Sequence, residues 1–365
     1  MSNHIEYNDK MAFHPGYYVK EIVDASGISQ DDFAKKLGTT PKNLSYLVRG
    51  EQSISVDIAG KLSRMLGTSV DYWLNLQNAY DCLCEERDYQ EELKEEKEIL
   101  RTIGYKYFRD SFHLQDASRQ VEQQVKNVRE FLKVSSLSVL KNRDVAVDFR
   151  SSDQELSDDN VVRANAMVQI AINNAAGSNA PKYNKRKFKA AAKRALDLTD
   201  HHDDFYPIVR EDFYHAGVLF EVLPNIKGSK INGASKRVGH NVMLMVNDRR
   251  LYSDTFWFTL YHEIGHILNG DFCATFEEDK DKEDEADQYA RDMLIPPLEY
   301  DDFVSKKDFS EYAIRDFAYE IHRDPGIVLG RLRYEGRIGY EDKKLNAMRY
   351  RYYINGAEEW GKVLR

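Results

Sequence analysis

The chain has 365 residues, more than a single compact domain usually holds, so two or three domains are expected. Hydrophobic residues make up 42% of it and charged residues 31%, a composition typical of globular proteins that excludes wholesale disorder. The formal net charge of -9 excludes a protein that coats nucleic acid with its whole surface, because phosphate contacts need clustered Lys and Arg. Any contact with DNA must therefore be local.

Cysteine usage and the N-terminal residues bear on location. The three cysteines, Cys82, Cys84 and Cys273, do not suggest a disulfide framework in a chain of this size, which favours a reducing compartment. The N-terminal segment is polar and lacks the apolar core of a signal peptide, and no apolar stretch approaches the roughly 20 residues that cross a bilayer. We therefore expect a soluble cytoplasmic protein with no membrane partner.

The first half of the chain is predicted to be helical. Residues 1–80 should form one small helical domain, because short helical segments there are separated by glycines with little linker between them. Residues 81–150 are charged and Glu-rich, with charges at i, i+4 spacing, and this pattern predicts a solvated helical connector. The polar stretch at 150–160 is interpreted as a boundary or an exposed loop.

The second half is predicted to contain a small sheet. Two short apolar runs, 218–224 and 241–248, are flanked by turn residues, as strands are. They belong to a domain expected to span residues 160–300. Residues 301–365 are predicted to form a C-terminal helical segment that ends in a basic, aromatic stretch, RYRYYING. The expected fold class is therefore mainly α with a small β-sheet, an α+β arrangement.

Two consecutive helices are predicted within residues 29–50. Ser29 precedes Asp32 by three residues, a capping-box-like pairing that starts a helix running to Leu37. Gly38 then ends that helix, since glycine readily adopts the left-handed conformation that terminates helices. A short turn therefore separates the first helix from the second.

The second helix is predicted to begin abruptly and to present a basic outer face. Thr40 is a natural N-cap and Pro41 a natural first helical residue, and Gly50 stops the helix. Helical spacing turns its leucines inward, and residues 35–49 contain four basic residues and no acidic residue, so the outward face can read a major groove. The predicted DNA-contacting residues are Lys42, Asn43, Ser45, Tyr46 and Arg49.

These two helices and their flanks resemble the Xre-type, phage-repressor-like helix-turn-helix family, specifically its antitoxin branch. The segments that carry the resemblance are HPGYYVKE at 14–21, GISQDDFAKKLG, and LSRMLGTSVDYWLNLQ at 62–77. The resemblance implies a homodimer that binds a palindromic operator in double-stranded DNA, with two recognition helices one DNA turn apart.

A second motif points to metal chemistry. His262, Glu263 and His266 form an HExxH sequence, in which two histidines one helical turn apart can reach a single ion. Glu263 is rotated away from them and can hold a metal-bound water as general base. The apolar positions fall on the arc opposite the histidines, so the helix is expected to bury one side and offer the histidines from the other. Those apolar positions are Phe256, Trp257, Leu260, Ile264, Ile267 and Leu268.

A catalytic zinc usually keeps three protein ligands, so a third must come from elsewhere. The downstream helix KEDEADQYARDMLIPP offers Glu283, which projects near its apolar seam, and Glu285, which points off that seam. Glu283 is the better candidate, although the acidic neighbourhood leaves Glu285 open. Asp287, one turn further on, is placed to hydrogen-bond a ligating histidine.

Both segments together resemble the ImmA/IrrE family of metallopeptidases, in which an HExxH helix is followed by a Glu-bearing helix that ends in a Leu-Leu-Met-Pro-like motif. Here that end reads MLIPP, and the spacing of Glu283 and Asp287 also resembles the wider Glu-zincin pattern. Segments 324–340 and 344–353 resemble the tail of antitoxin-type proteins that fuse both domains. The resemblance implies a zincin-like fold, a Zn²⁺ cofactor and endopeptidase activity.

Other candidate residues give weaker signals. His201 and His202 lie in an acidic, loop-like stretch and are predicted to be solvated. His240 precedes a strand and could help to stabilise an oxyanion, but it is interpreted as a surface or structural histidine. Cys82 and Cys84 lack a second metal-binding pair and are predicted to be inert.

Two functions remain open on the sequence alone. The first is a transcriptional regulator whose zinc endopeptidase domain cleaves another regulatory protein or the chain itself. The second is a non-enzymatic repressor or antitoxin whose zinc domain senses a signal or binds a partner toxin.

Overall fold

The computed structural model describes residues 3–142, 157–249, 252–271, 280–355 and 359–364. The predicted boundary at 150–160 lies largely outside these residues. The chain forms two compact units, Met1–Glu95 and Glu96–Arg365, and each has its own hydrophobic core. The predicted division into four segments is finer than these two units. Most of the described chain is helical with small sheets, which confirms the predicted α+β class.

The first unit opens with a strand pair and continues as helices. Its strands pair antiparallel across a two-residue turn in which Asn8 (φ 49°) and Asp9 (φ 59°) both take positive φ, as a tight hairpin requires. Only helices were expected in this region, and the hairpin was not predicted. The elements are β1 (His4–Tyr7), β2 (Lys10–Phe13), α1 (Pro15–Ala25), α2 (Gln30–Leu37), α3 (Pro41–Val48), α4 (Val56–Leu66) and the start of α5 (Val70–Ile103).

Helices α2 and α3 begin and end where the capping residues predict. The Ser29 hydroxyl accepts a hydrogen bond from the Asp32 amide at 3.1 Å, and Gly38 ends α2 in the left-handed conformation with φ 72°. The Thr40 hydroxyl accepts from the Asn43 amide, also at 3.1 Å, at the start of α3. Because each cap satisfies an amide that the helix leaves unpaired, the turn between the helices is fixed by local sequence.

The start of α1 is packed tightly against the end of α3. His14 caps α1 by accepting a hydrogen bond at Nδ1 from the Gly16 amide at 3.0 Å. A Cβ atom on Gly16 would lie only 1.7 Å from the carbonyl oxygen of Leu47. The absence of a side chain at Gly16 therefore lets α1 support α3 by direct backbone approach.

The second unit contains the remaining elements. Its two short 3₁₀ turns span Leu137–Lys141 and Leu196–Leu198. Its helices and strands are α6 (Tyr105–Phe112), α7 (Val121–Leu132), α8 (Asp158–Ala176), α9 (Lys185–Ala195), α10 (Phe205–His215), β3 (Val218–Leu223), β4 (Gly233–Val238), β5 (Asn241–Asn247), α11 (Ser253–Asn269), α12 (Lys280–Leu294), α13 (Pro297–Ser305), α14 (Glu311–Glu320), α15 (Pro325–Tyr334), α16 (Lys343–Asn346), β6 (Arg351–Asn355) and β7 (Glu359–Leu364).

A three-stranded sheet in the order β3-β5-β4 lies beside α11. Strands β3 and β5 are parallel and correspond to the two predicted apolar runs, whereas β4 pairs antiparallel with β5 and was not predicted. Strand β5 is buried along almost its whole length, which explains its continuous apolar sequence. Strand β4 carries Ser, Lys and Arg and therefore lacks that signal.

Helix α11 runs through the core of the second unit. Trp257 and Tyr261 are fully buried, and the Tyr261 hydroxyl donates to the carbonyl oxygen of Ala192 on α9 at 2.6 Å. Helix α15 packs against α11 and contributes Val328 and Leu329 to the same core. The residues after 300 are therefore part of the core that holds α11.

Two expectations about the connector and the C-terminal segment are wrong. The end of α5 is not a solvated connector, because Ile99, Leu100 and Ile103 are buried and Glu96 is completely enclosed, with its carboxylate accepting from the Leu137 amide at 2.7 Å. The charges beside these residues concealed the buried face. The C-terminal segment is also not helical to its end, since β6 and β7 pair antiparallel in the described residues.

Two glycines in the first unit give opposite expectations for the same substitution. Gly16→Ala should destabilise the first unit by about 3 kcal/mol, the upper end of the usual range for overpacking, because the new methyl group meets backbone that cannot easily move aside. Gly60→Ala should stabilise it by about 0.5–1 kcal/mol, because the nearest atom is the flexible Arg64 guanidinium at 3.5 Å and alanine favours the helix. Hydrogen exchange of α1 and α3 in the full chain measures both effects, and equal behaviour of the two variants would contradict the packing described.

Candidate functional site

The close approach of α11 and α12 builds the first candidate site. A Cβ atom on Gly265 of α11 would lie 3.1 Å from the Cα atom of Ala286 and 3.3 Å from the Tyr289 ring on α12. Because glycine stands at this position, the two helix backbones meet closely. Side chains one turn to either side of this point are consequently brought together.

Three side chains converge beside Gly265. The Nε2 atoms of His262 and His266 lie 3.1 Å apart. The two Glu283 carboxylate oxygens lie 3.4 Å from His262 Nε2 and 3.2 Å from His266 Nε2, one each. One donor atom from each of the three residues lies within 4.8 Å of the others, a grouping that could hold a metal ion.

Asp287 lies behind His262. Its carboxylate oxygen Oδ1 is 2.8 Å from His262 Nδ1, and both side chains are buried. A hydrogen bond from Nδ1 to this carboxylate directs the lone pair of Nε2 toward His266 and Glu283. The structure thus places Asp287 where the sequence analysis expected it.

The cluster is strongly coupled electrostatically. Burial lowers the pKa of His262, but the carboxylates of Asp287 and Glu283 outweigh burial and raise that pKa to about 9. The pKa of His266 is raised too, because Glu283 and Glu263 oppose the effect of burial. Although burial alone would raise it, the pKa of Glu283 is held well below its usual range by the two histidines. The buried carboxylates therefore favour positive charge at this point.

Glu263 lies on the other side of α11, against β4. It is 6% exposed, and burial raises the pKa of its carboxyl, while His262 and His266 lower it. A Cβ atom on Gly233 would lie 2.9 Å from Glu263 Oε1, and Ser235 hydrogen-bonds the carboxylate. Gly233 and Ser235 were not identified from sequence, because β4 itself carries no recognisable strand pattern.

Glu285 lies away from this cluster. It is exposed, and its carboxylate oxygen Oε2 accepts a hydrogen bond from Asn269 Nδ2 at 3.4 Å. The structure therefore brings Glu283, and not Glu285, to the two histidines, as the position of each residue relative to the apolar seam of α12 predicts. Of that seam, Ala286 and Ala290 are fully buried.

Two expectations about histidines are wrong. Helix α11 does not offer His262 and His266 from an open side, since they are only 8% and 7% exposed, because α12 covers them. His202 is not solvated either. Its Nε2 lies 2.9 Å from Asp324 and its Nδ1 lies 2.8 Å from the Tyr352 hydroxyl. Both partners are more than 100 residues away in sequence, so the acidic residues beside His202 suggested the wrong environment.

The outer face of α3 forms the second candidate site. Its leucines are buried and Lys42 and Asn43 are exposed, as predicted, while Ser45 and Tyr46 are half-buried. Lys42 Nζ lies 5.7 Å from the centre of the Tyr46 ring, and the Arg49 guanidinium lies 5.1 Å from it.

Arg49 is not a free cation. Its guanidinium makes two hydrogen bonds to the Glu51 carboxylate, at 2.8 and 2.9 Å, and donates to the Ser45 hydroxyl at 2.7 Å. The basic face is therefore less positive at its C-terminal end than residues 35–49 alone suggest, because Glu51 stands just beyond them.

A capped helix, a glycine-terminated turn and a second helix with an exposed polar face make up the arrangement of a helix-turn-helix DNA-binding domain. The helix-turn-helix family model matches residues 19–73 of the chain. Through its N-terminal domain, the chain belongs to the helix-turn-helix family.

Several curated relatives match part of the chain, and three of them are described here. Virulence-associated protein I of Dichelobacter nodosus is 36% identical over 84 residues, which are 23% of this chain and 78% of that protein. The uncharacterised HTH-type transcriptional regulator YddM of Escherichia coli (strain K12) is 38% identical over 73 residues, 20% of this chain and 78% of the relative. Antitoxin HigA-1 of Vibrio cholerae is 32% identical over 83 residues, 23% of this chain and 78% of the relative.

Among the described residues, no helix has the length and apolarity needed to span a membrane.

The third ligand of the HExxH cluster can be tested with a matched pair of glutamates. We expect Glu283→Ala to weaken zinc affinity by more than the roughly 10- to 100-fold that removal of an outer hydrogen-bonding partner costs. Glu285→Ala should leave the affinity unchanged, because Glu285 is exposed and distant from both histidines. Zinc content after dialysis against a graded chelator measures both variants. Loss of zinc from Glu285→Ala with retention by Glu283→Ala would move the ligand to Glu285.

Proposed function

We propose that this chain is an antitoxin-like or phage-repressor-like transcriptional regulator whose second unit is a zinc-dependent endopeptidase that cleaves a regulatory protein or the chain itself. One observation carries the enzymatic part of the proposal. His262, His266 and Glu283 direct donor atoms toward one point. The carboxylate of Glu263 is buried on α11, the helix that carries the two histidines.

The regulatory part is supported by the N-terminal domain and its relatives. One relative is named as a transcriptional regulator and another as an antitoxin. Helix α3 presents Lys42, Asn43 and Tyr46 on its outer face. We propose that two copies of the chain place this face in successive major grooves of a palindromic operator, since half-sites one helical turn apart match a two-fold dimer.

The donor set and its spacing fit zinc. Two imidazole nitrogens and one carboxylate are ligands that zinc takes in catalytic sites, and three protein ligands leave a fourth position open. Bonds of about 2.0–2.1 Å in a tetrahedron separate the ligand atoms by about 3.3 Å. The separations of 3.1, 3.2 and 3.4 Å found here are close to that value. The negative charges of Glu263, Glu283 and Asp287 would also be offset by a dication.

Each residue of the cluster has a separate part in peptide hydrolysis. Zinc, when bound, lowers the pKa of a water at its open position and polarises the scissile carbonyl. The Glu263 carboxylate accepts a proton from the attacking water and returns it to the leaving amine. Asp287 fixes the ring of His262 so that Nε2 remains available to the metal. Ser235 holds the Glu263 carboxylate from β4.

A non-enzymatic alternative is favoured by one specific observation. His262, Glu263 and His266 are all less than a tenth exposed, which restricts the approach of a polypeptide to the cluster. In this alternative the metal stabilises the second unit, which senses a signal or binds a partner toxin. A toxin is the candidate partner, because one relative is named as an antitoxin.

The outer face of α3 gives a test of operator binding. Lys42→Ala and Tyr46→Ala should each weaken binding by about 1–3 kcal/mol where the side chain reads a base edge. Glu51→Gln should strengthen binding, because it releases Arg49 from its ion pair and removes a negative charge beside the phosphates. Titration of the DNA upstream of the protein's own gene measures all three, and unchanged binding in each would reject α3 as the recognition helix.

The general base gives a test of catalysis. Glu263→Gln preserves the shape of the side chain but removes the proton acceptor, so proteolysis should fall about 100-fold or more. Zinc content and operator binding should stay as in the wild type, whereas His262→Ala should lose the metal. Cleavage of co-encoded proteins by both forms is followed by mass spectrometry. If wild type and Glu263→Gln cleave no substrate and regulate equally in cells, the non-enzymatic alternative is correct.

A further inference from the structure

Helix α9 carries a dense group of cations in an otherwise acidic protein. No Asp or Glu occurs between residues 160 and 196, whereas the whole chain has a net charge of -9. We define the α9 basic face by Lys182, which precedes the helix, and by Lys185, Arg186, Lys189 and Lys193. All five residues are exposed.

The basic face is held on a rigid support. The opposite side of α9 is buried through Phe188, Ala191, Ala192 and Ala195. The Phe188 ring packs against the ring of Phe213 with centroids 4.9 Å apart, and the Ala192 carbonyl accepts the hydroxyl proton of Tyr261. Because one side is fixed in the core, the cations on the other side point to solvent as a preformed array.

The charges of this face are not balanced within the described part of the chain. Arg194, at the end of the helix, pairs with Asp212 at 2.9 Å, but the five residues of the face form no ion pair with any described residue. Lys185, Lys189 and Lys193 follow at i, i+4 spacing, an arrangement in which like charges repel on a helix. The first turn is basic and has no acidic residue, which also opposes the helix dipole.

The array continues onto the neighbouring sheet. The Tyr183 amide donates to the His240 carbonyl at 2.9 Å, and the Asn241 side chain reaches the Pro181 carbonyl, so the start of α9 is fixed to the β4-β5 turn. This attachment brings the exposed Arg237 guanidinium to 5.5 Å from the centre of the Tyr183 ring. The positive surface is therefore broader than the helix alone.

We propose that the α9 basic face binds the phosphate backbone of double-stranded DNA, as a second contact that is independent of sequence. Lys185 and Lys193 are about 12 Å apart along the helix axis. Each DNA strand carries one phosphate per roughly 3.4 Å of duplex axis, so a lysine row of this length spans several phosphates. Flexible point charges such as lysine bind phosphates without reading bases.

Double-stranded DNA is favoured over other polyanions because the same chain carries a helix-turn-helix domain. Once that domain is bound, DNA stands at a high effective concentration for the remainder of the chain, and even a weak phosphate contact adds to the affinity. The proposal requires neither zinc nor peptidase activity. Its failure would therefore leave the proposed function unaffected.

The test removes three charges from the full chain as Lys185→Gln, Lys189→Gln and Lys193→Gln combined. Two duplexes of equal length are used, one from upstream of the protein's own gene and one of random sequence. Affinity should fall by a similar factor, about tenfold or more at low salt, on both duplexes. The slope of log K against log salt should decrease by about 0.9 for each phosphate that is no longer neutralised, or about 2–3 in all.

Matched variants separate this effect from net charge and from folding. Lys227→Gln, Lys343→Gln and Lys344→Gln together remove three exposed lysines elsewhere in the second unit and should leave the salt slope as in the wild type. Arginine at all three positions of α9 should preserve the slope. Lys42→Ala should instead reduce the discrimination between the two duplexes.

Two results would overturn the proposal. One is an α9 triple glutamine variant with the same DNA affinity and salt slope as its matched control. The other is α9-dependent binding of polyglutamate or of phosphatidylserine vesicles with unchanged DNA binding, which would assign the face to an acidic protein or to a membrane surface.

Discussion

The close approach of α11 and α12 at Gly265 is the constraint on which the candidate metal site depends. A Cβ atom at this position would lie 3.1 Å from the Cα atom of Ala286, so the facing helix would have to shift by a few tenths of an ångström. Ligands on α12 one turn from this point would then move away from the two histidines by a similar distance. Because metal coordination tolerates errors of only about 0.2 Å in bond length, a small separation would dismantle the site.

The same close approach of α11 and α12 places charged groups in a region where removing them from water costs free energy. His262, Asp287 and Glu263 are each less than a tenth exposed, and their pairing offsets part of the cost of burial. The surrounding core, which includes residues after 300, shields these groups from water and restricts their side chains to this arrangement. The C-terminal helices thus contribute to the site by holding α11, although they supply none of its three candidate ligands.

Features set by local chemistry were predictable from the sequence, and features set by distant partners were not. The caps at Ser29 and Thr40 follow from spacing within one helical turn, and the choice of Glu283 over Glu285 follows from their positions relative to the apolar seam of α12. The environment of His202 and the role of β4 depend on pairings with residues far along the chain. Neither feature is visible as a periodic sequence pattern. Strand β4 is partly polar, and His202 has acidic neighbours in sequence but pairs with the distant Asp324.

The proposed chemistry depends on a metal centre built by two histidines and one glutamate, and X-ray absorption at the zinc edge of the purified full chain tests this directly. We expect one zinc per chain, with an average of two imidazole nitrogens and one or two oxygens at about 2.0–2.1 Å and no sulfur ligand. A first shell that contains sulfur, or a six-oxygen shell at the same zinc content, would contradict it.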